Sequence, residues 1–76
     1  MIKLNINEKI GIKIRLLRTK LKLSQEKLAE FSNLNKNTVG LIERGEISPT
    51  IETLEKIAKA LDVEIKELVD VSRVEL

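Results

Sequence analysis

Residues 23–45, LSQEKLAEFSNLNKNTVGLIERG, gather Gln25, Asn35, Lys36, Asn37, Thr38 and Arg44 in one short stretch. Amides, a hydroxyl and two cations at this density suit recognition by hydrogen bonding and charge. They do not make a catalytic set. The 76 residues include no histidine and no cysteine, which removes the imidazole base, the thiolate nucleophile, any disulfide and the usual nitrogen and sulfur zinc sites. No glycine-rich phosphate loop is present, and Glu52 with Lys56 stands at the i, i+4 spacing of a surface ion pair. The residue types therefore point to no cofactor, no metal, no small-molecule ligand and no enzymatic reaction. A single aromatic, Phe31, also argues against the stacking platforms that bind single-stranded nucleic acids.

Side chains of this kind act only if rigid elements aim them, and the hydrophobic pattern predicts five short helices. Ile2, Leu4 and Ile6 alternate with polar residues, the two-residue period of a half-buried strand. Ile10, Ile14, Leu17 and Leu21 then recur at helical spacing and predict a first helix over residues 8–21. Ile12 and Leu16 fall on its opposite face and call for cover by the N-terminal strand or a second subunit. Ser24 is a good N-cap for a second helix, which carries Leu28 and Ala29 inward and ends near Ser32. Asn33 tolerates the left-handed conformation required just past a helix end, and Asn35 caps the third helix, residues 36–44, which buries Val39 and Ile42. Thr50 caps a fourth helix with a stripe of Leu54, Ile57, Ala58 and Leu61, and a short fifth covers residues 64–69 with Ile65 and Leu68 facing in. For the tail, two readings stand: a small β-ribbon pairing Val71, Val74 and Leu76 with Ile2, Leu4 and Ile6, or a frayed end.

The chain reads as one domain, 1–76, with its core in 8–70 and a helix-turn-helix in 24–44. Ile 10, Leu 12, Val 5, Ala 3, Met1 and Phe31 make up the 42% apolar fraction, ample for a folded core. A chain this short buries only about 60% of its unfolded surface, so a second copy would add stability. Two short helices joined by a tight turn need particular residues in particular places. Counted from Gln25, the fifth position is Ala29, small enough for close helix approach, and the ninth is Asn33 at the turn. Val39 and Ile42, fifteenth and eighteenth, bury the third helix against the second and leave its other side free.

With these residues in register, the chain resembles the lambda-repressor-like (Cro/CI, XRE) family of helix-turn-helix DNA-binding domains. The resemblance covers about residues 10–69 and rests on IRLLRTKLKLSQEKLA, TVGLIERG and SPTIETLEKIAKALDVEIKEL, with SQEKLA and IERG at their mutual spacing the most specific part. The chain departs from the common pattern at Asn33 and Asp62, where glycine is usual, and at Gly40, where a polar residue is more frequent. The resemblance implies an all-α, five-helix domain whose third helix enters the major groove of double-stranded DNA. Gln25 is similar to the family's phosphate-binding glutamine, placed where first-turn amides and the helix dipole favour an anion. On the exposed face of the third helix, Lys36 would donate to guanine O6 and N7, Asn37 would pair with adenine and Leu41 would meet a thymine methyl. Gly40, in the same face, would let the helix sit deep in the groove. Asn35, Thr38 and Arg44 are implied as DNA-backbone contacts, and Arg18 with Glu43 as a partly buried ion pair that fixes the third helix on the scaffold.

The net charge of +2 divides unevenly: residues 1–45 carry ten basic against four acidic side chains, +6, and residues 46–76 carry four against eight, −4. The basic part would face phosphate and the acidic part a partner or water. Family members generally bind near-palindromic operators as twofold dimers, and with no separate oligomerisation domain the expected interface is Ile65, Leu68, Val69, Val71 and Val74. The leading expectation is a dimeric, sequence-specific transcriptional regulator, a repressor or autoregulator of the restriction-modification controller, phage repressor or antitoxin type. A protein-interaction, antirepressor-like module of the same fold without DNA binding is the alternative, and retention of Gln25, Lys36 and Asn37 argues against it. MIKLNINEKI has no apolar targeting region and no membrane span, so a cytoplasmic, bacterial or phage-encoded protein, on the nucleoid when DNA-bound, is expected.

Overall fold

In the computed structural model, which describes residues 3–72 and 74, five helices follow in order: α1 Ile6–Lys20, α2 Gln25–Ser32, α3 Lys36–Glu43, α4 Ile51–Ala60 and α5 Ile65–Val69. Among the described residues there is no strand, and no helix is long and apolar enough to cross a membrane.

Local chemistry sets the helix boundaries. Asn5 Oδ1 accepts from the Glu8 amide at 2.8 Å while Glu8 Oε1 accepts from the Asn5 amide at 3.0 Å, a reciprocal capping box. The box starts α1 at Ile6, two residues before the expected start. Ile6 is therefore helical and 55% exposed, which removes it from the expected ribbon. Leu4 is in no strand, Val71 is in the core and Val74 packs against it; Ile2 and Leu76 lie outside the described residues. Ser24, Asn35 and Thr50 each accept from the amide three residues on, and so open α2, α3 and α4. Asn33 and Asp62 take left-handed conformations after α2 and α4, with φ 56° and 58°, and Lys22 does the same after α1, with φ 60°.

The core draws on every helix: Ile10 and Ile14 from α1, Leu28 and Ala29 from α2, Val39 and Ile42 from α3, Leu54, Ile57 and Ala58 from α4, and Leu68 from α5, with Leu61 and Val71 beside them. α3 packs on both α1 and α2, while α4 joins α2 to α5. One backbone approach is unusually close. A Cβ on Gly11 would meet the carbonyl of Ile42 and lie 2.5 Å from the carbonyl oxygen of Glu43, so only glycine lets α1 lie directly on the C-terminal end of α3.

Two expectations change on this scaffold. Leu68 is fully buried and Val71 is 8% exposed, so both serve the core of their own chain and are not available to a partner. Nothing among the described residues covers Leu16, which is 58% exposed, whereas Ile12 is half-buried.

Candidate nucleic-acid interface

The tight turn between α2 and α3 holds the second of them as a platform. Asn33, left-handed, donates to Glu30 O, and the Leu34 amide returns to Ala29 O at 2.8 Å. These bonds close the C-terminal end of α2 and turn the chain directly into the Asn35 cap. Asn35 Oδ1 then accepts from the Thr38 amide at 2.7 Å. Val39 and Ile42, each 1% exposed, lock the inner side of α3. Its outer side is left for other chemistry.

On that outer side Gln25, Lys36, Asn37, Gly40 and Arg44 line one shallow depression of ≈ 390 Å³. Lys36 and Asn37 are exposed, and Lys36 makes no ion pair among the described residues. Asn35 is exposed and Thr38 half-buried. Leu41 is half-buried as well, so it offers only an edge of its side chain, less than an exposed leucine would. Gly40 differs more from expectation. It is buried, because the guanidinium of Arg44 lies across it, so its bare backbone does not form the outer surface of the helix.

A buried charge network fixes this face to the rest of the fold. Arg18 donates to Glu43 through two bonds, Nε to Oε2 at 2.6 Å and Nη2 to Oε1 at 2.9 Å, and its Nη1 donates to Leu23 O at 2.8 Å. The side chains of Arg18 and Glu43 are 11% and 2% exposed. Both are thus largely withdrawn from water, and every buried side-chain polar atom among the described residues has a partner. Gln25 joins the network, its Nε2 donating to Glu43 Oε1 at 3.0 Å. Sequence reasoning placed Gln25 at the start of α2 and missed this bond, since residues 18 apart in the chain leave no periodic trace. One amide hydrogen is held by Glu43 and the second has no partner among the described residues, while the Gln25 and Glu26 backbone amides have no carbonyl of their own helix to reach. Donors at a helix N-terminus, in one depression with Lys36, have the chemistry that suits an anion.

Comparison with known proteins agrees with this geometry. The helix-turn-helix family HTH_3 matches residues 14–68. Control protein C.BamHI of Bacillus amyloliquefaciens is 42% identical over 67 residues, which cover 87% of this chain and 83% of that protein. Among solved structures, the restriction-modification controller protein C.AhdI from Aeromonas hydrophila is similar with a TM-score of 0.80 at 44% identity, over 82% of this chain and 94% of that one. The P22 c2 repressor protein, solved in complex with a synthetic operator, is similar with a TM-score of 0.77 at 30% identity, over 83% of this chain and 96% of that one.

Proposed function

This chain belongs to the HTH_3 helix-turn-helix family, and from that premise we propose that it is a sequence-specific, double-stranded-DNA-binding transcriptional regulator that works as a homodimer in the cytoplasm. Its relatives named as restriction-modification control proteins and phage repressors favour a regulator of that kind, which represses or autoregulates its target. One observation carries the reading: Gln25 at the start of α2 shares a single depression with Lys36, Asn37 and Arg44 on the outer face of α3. A phosphate clamp beside a row of base-reading donors is the arrangement that sets a helix into the major groove in fixed register.

The roles follow from the chemistry of each side chain. Lys36 reads a base edge as a donor, Asn37 as a donor and acceptor together, and Leu41 offers its exposed edge to a thymine methyl. Gln25, with the first-turn amides of α2, holds phosphate, and Asn35 and Thr38 flank the same strand. One such helix covers about half a turn of duplex, so two copies about 34 Å apart read a near-palindrome. Ile65, Val69 and Val74 remain as apolar contacts for the second copy.

Selection of duplexes from a random pool, repeated over a range of salt concentrations, tests this reading. A palindromic consensus bound with steeply salt-dependent affinity is the expected result. Lys36→Ala relaxes base preference, whereas Gln25→Ala weakens binding to all sequences alike. Absence of binding, or equal binding to every sequence at low salt, would transfer the chain to a protein-interaction role.

A further inference from the structure

Arg44 is the C-cap of α3, and its backbone amide donates to Gly40 O at 3.1 Å while the Gly45 amide donates to Ile42 O. From that position a long cation would be expected to reach away from the helix, toward solvent or a phosphate. Its guanidinium turns back over α3 instead. A Cβ on Gly40, one turn earlier, would lie 2.9 Å from Arg44 Nη1, 3.7 Å from Cζ and 3.8 Å from Nη2. Nη1 therefore stands closer than a side chain at position 40 would tolerate, with the rest of the guanidinium in contact range, and Arg44 lines the same depression as Lys36 and Asn37. Glu46 pairs with it at the surface, Arg44 Nε donating to Glu46 Oε2 at 2.6 Å with both side chains about half exposed. No hydrogen bond engages Nη1 or Nη2 among the described residues.

Resting on the DNA-binding reading above, we propose that Arg44 is a base-reading residue that stands in for the side chain Gly40 lacks, and that its target is a guanine in each half-site. Two physical arguments separate this role from the backbone contact that the sequence suggests. The first is directional. With Nε committed to Glu46, the free end of the guanidinium is the Nη1 and Nη2 pair, a rigid two-donor fork that matches O6 and N7 of guanine.

The second argument concerns charge. Phosphate contacts draw on unbalanced positive charge and the release of counterions. A carboxylate 2.6 Å from the guanidinium offsets that charge and would itself be repelled by phosphate. A base edge carries no net charge and is read through the direction of its hydrogen bonds, which Glu46 sharpens by restraining the side chain. Glu46 is thus a positioning residue. Gly40, a poor helix former in the middle of α3, is the residue that leaves the guanidinium room.

The test compares wild type, Arg44→Ala, Arg44→Lys and Gly40→Ala on the duplex selected by wild type and on its single-base-pair variants. Wild type should prefer G·C at one position of each half-site by roughly 5- to 150-fold, the range of a good bidentate pair. Arg44→Ala and Arg44→Lys lose that preference and keep the preferences at other positions. Lysine keeps the charge, so a simple backbone contact would survive this change while the fork does not. Gly40→Ala places a methyl 2.9 Å from the Nη1 position, so the guanidinium must shift, and loses the same preference with Arg44 still present; a circular dichroism melt verifies that this variant is folded. Uniform weakening of Arg44→Ala on all duplexes, or an unaltered preference in Gly40→Ala, would overturn the proposal and leave the DNA-binding reading standing. Failure of wild type to select any sequence would overturn both.

Discussion

Glu43 carries a full charge at 6% residue exposure, and three hydrogen bonds make that tolerable: two from Arg18 and one from Gln25. Removing one partner of a buried pair costs more than the pair contributes, because the remaining ion is left desolvated and unpaired. Glu43→Ala is therefore expected to lower the unfolding free energy by about 3–5 kcal/mol. Urea denaturation reads this as a lower midpoint with an unchanged slope. A loss below about 1 kcal/mol would mean that the pair behaves as an exposed one. On the role proposed for Gln25, the same residue would tie stability to binding, since Glu43 Oε1 also accepts from the Gln25 amide. The Arg18 and Glu43 pairing was legible through the likeness of RTK and IERG to a known pattern. The Gln25 bond was not, because it depends on where α2 and α3 come to rest in space.

Capping chemistry made α2, α3 and α4 readable at the scale of the element: Ser24, Asn35 and Thr50 are strong local signals that tertiary packing did not override. The same chemistry was present at α1 and was outvoted. Asn5 followed three residues later by Glu8 is a capping-box pattern, yet the alternation of Ile2, Leu4 and Ile6 suggested a strand and pushed the expected start to Glu8. Gly11 gave no usable signal, since a glycine inside a helical pattern registers only as a small propensity cost. Its meaning comes from α3, whose terminal carbonyls press on it. Gly11→Ala should gain slightly in propensity but must force the two backbones apart, with a net destabilisation of about 1–3 kcal/mol or more. A thermal melt showing equal or greater stability would mean that α1 shifts freely on α3. Lys22 went unnoticed for the opposite reason, because lysine is not a residue associated with left-handed backbone. At φ 60° it carries a strain that glycine would lack. Lys22→Gly is expected to stabilise by up to about 1 kcal/mol, less what glycine adds to the entropy of the unfolded chain, and a midpoint that falls would show that the Lys22 side chain contributes more than its backbone costs.

For the molecule as a whole, the division of charge into +6 and −4 follows the architecture: α1 to α3, with the turn between them, form the basic part, and α4 and α5 belong to the acidic part. On the proposed reading, such a division favours approach of a duplex to the basic part, which contains α3, over the acidic part, which contains α5. It also leaves α5 as the end at which a second copy can sit without competing for DNA. The apolar surface there is smaller than the sequence implied, because Leu68 and Val71 are used in the core. Val69 is 42% exposed, while Ile65 and Val74 are half-buried and pack against the core. Among these three, Val69 is the one whose side chain a partner could cover most fully. A lysine there would place two charges near the twofold axis, facing each other and desolvated, at little expense to the isolated fold because the residue is not in the core. Val69→Lys is accordingly expected to raise the dimer dissociation constant at least tenfold, equivalent to about 1.4 kcal/mol. Sedimentation equilibrium measures this directly, and two further properties should change with it. The thermal midpoint should lose its dependence on protein concentration, since only an associating fold is stabilised by mass action. Binding to a two-half-site operator should lose the cooperativity that a preformed dimer confers, while each half-site keeps its base preferences. An unaltered sedimentation profile would take the interface away from α5 and to another exposed apolar side chain, such as Leu16 on the outer face of α1 or Ile51 at the start of α4.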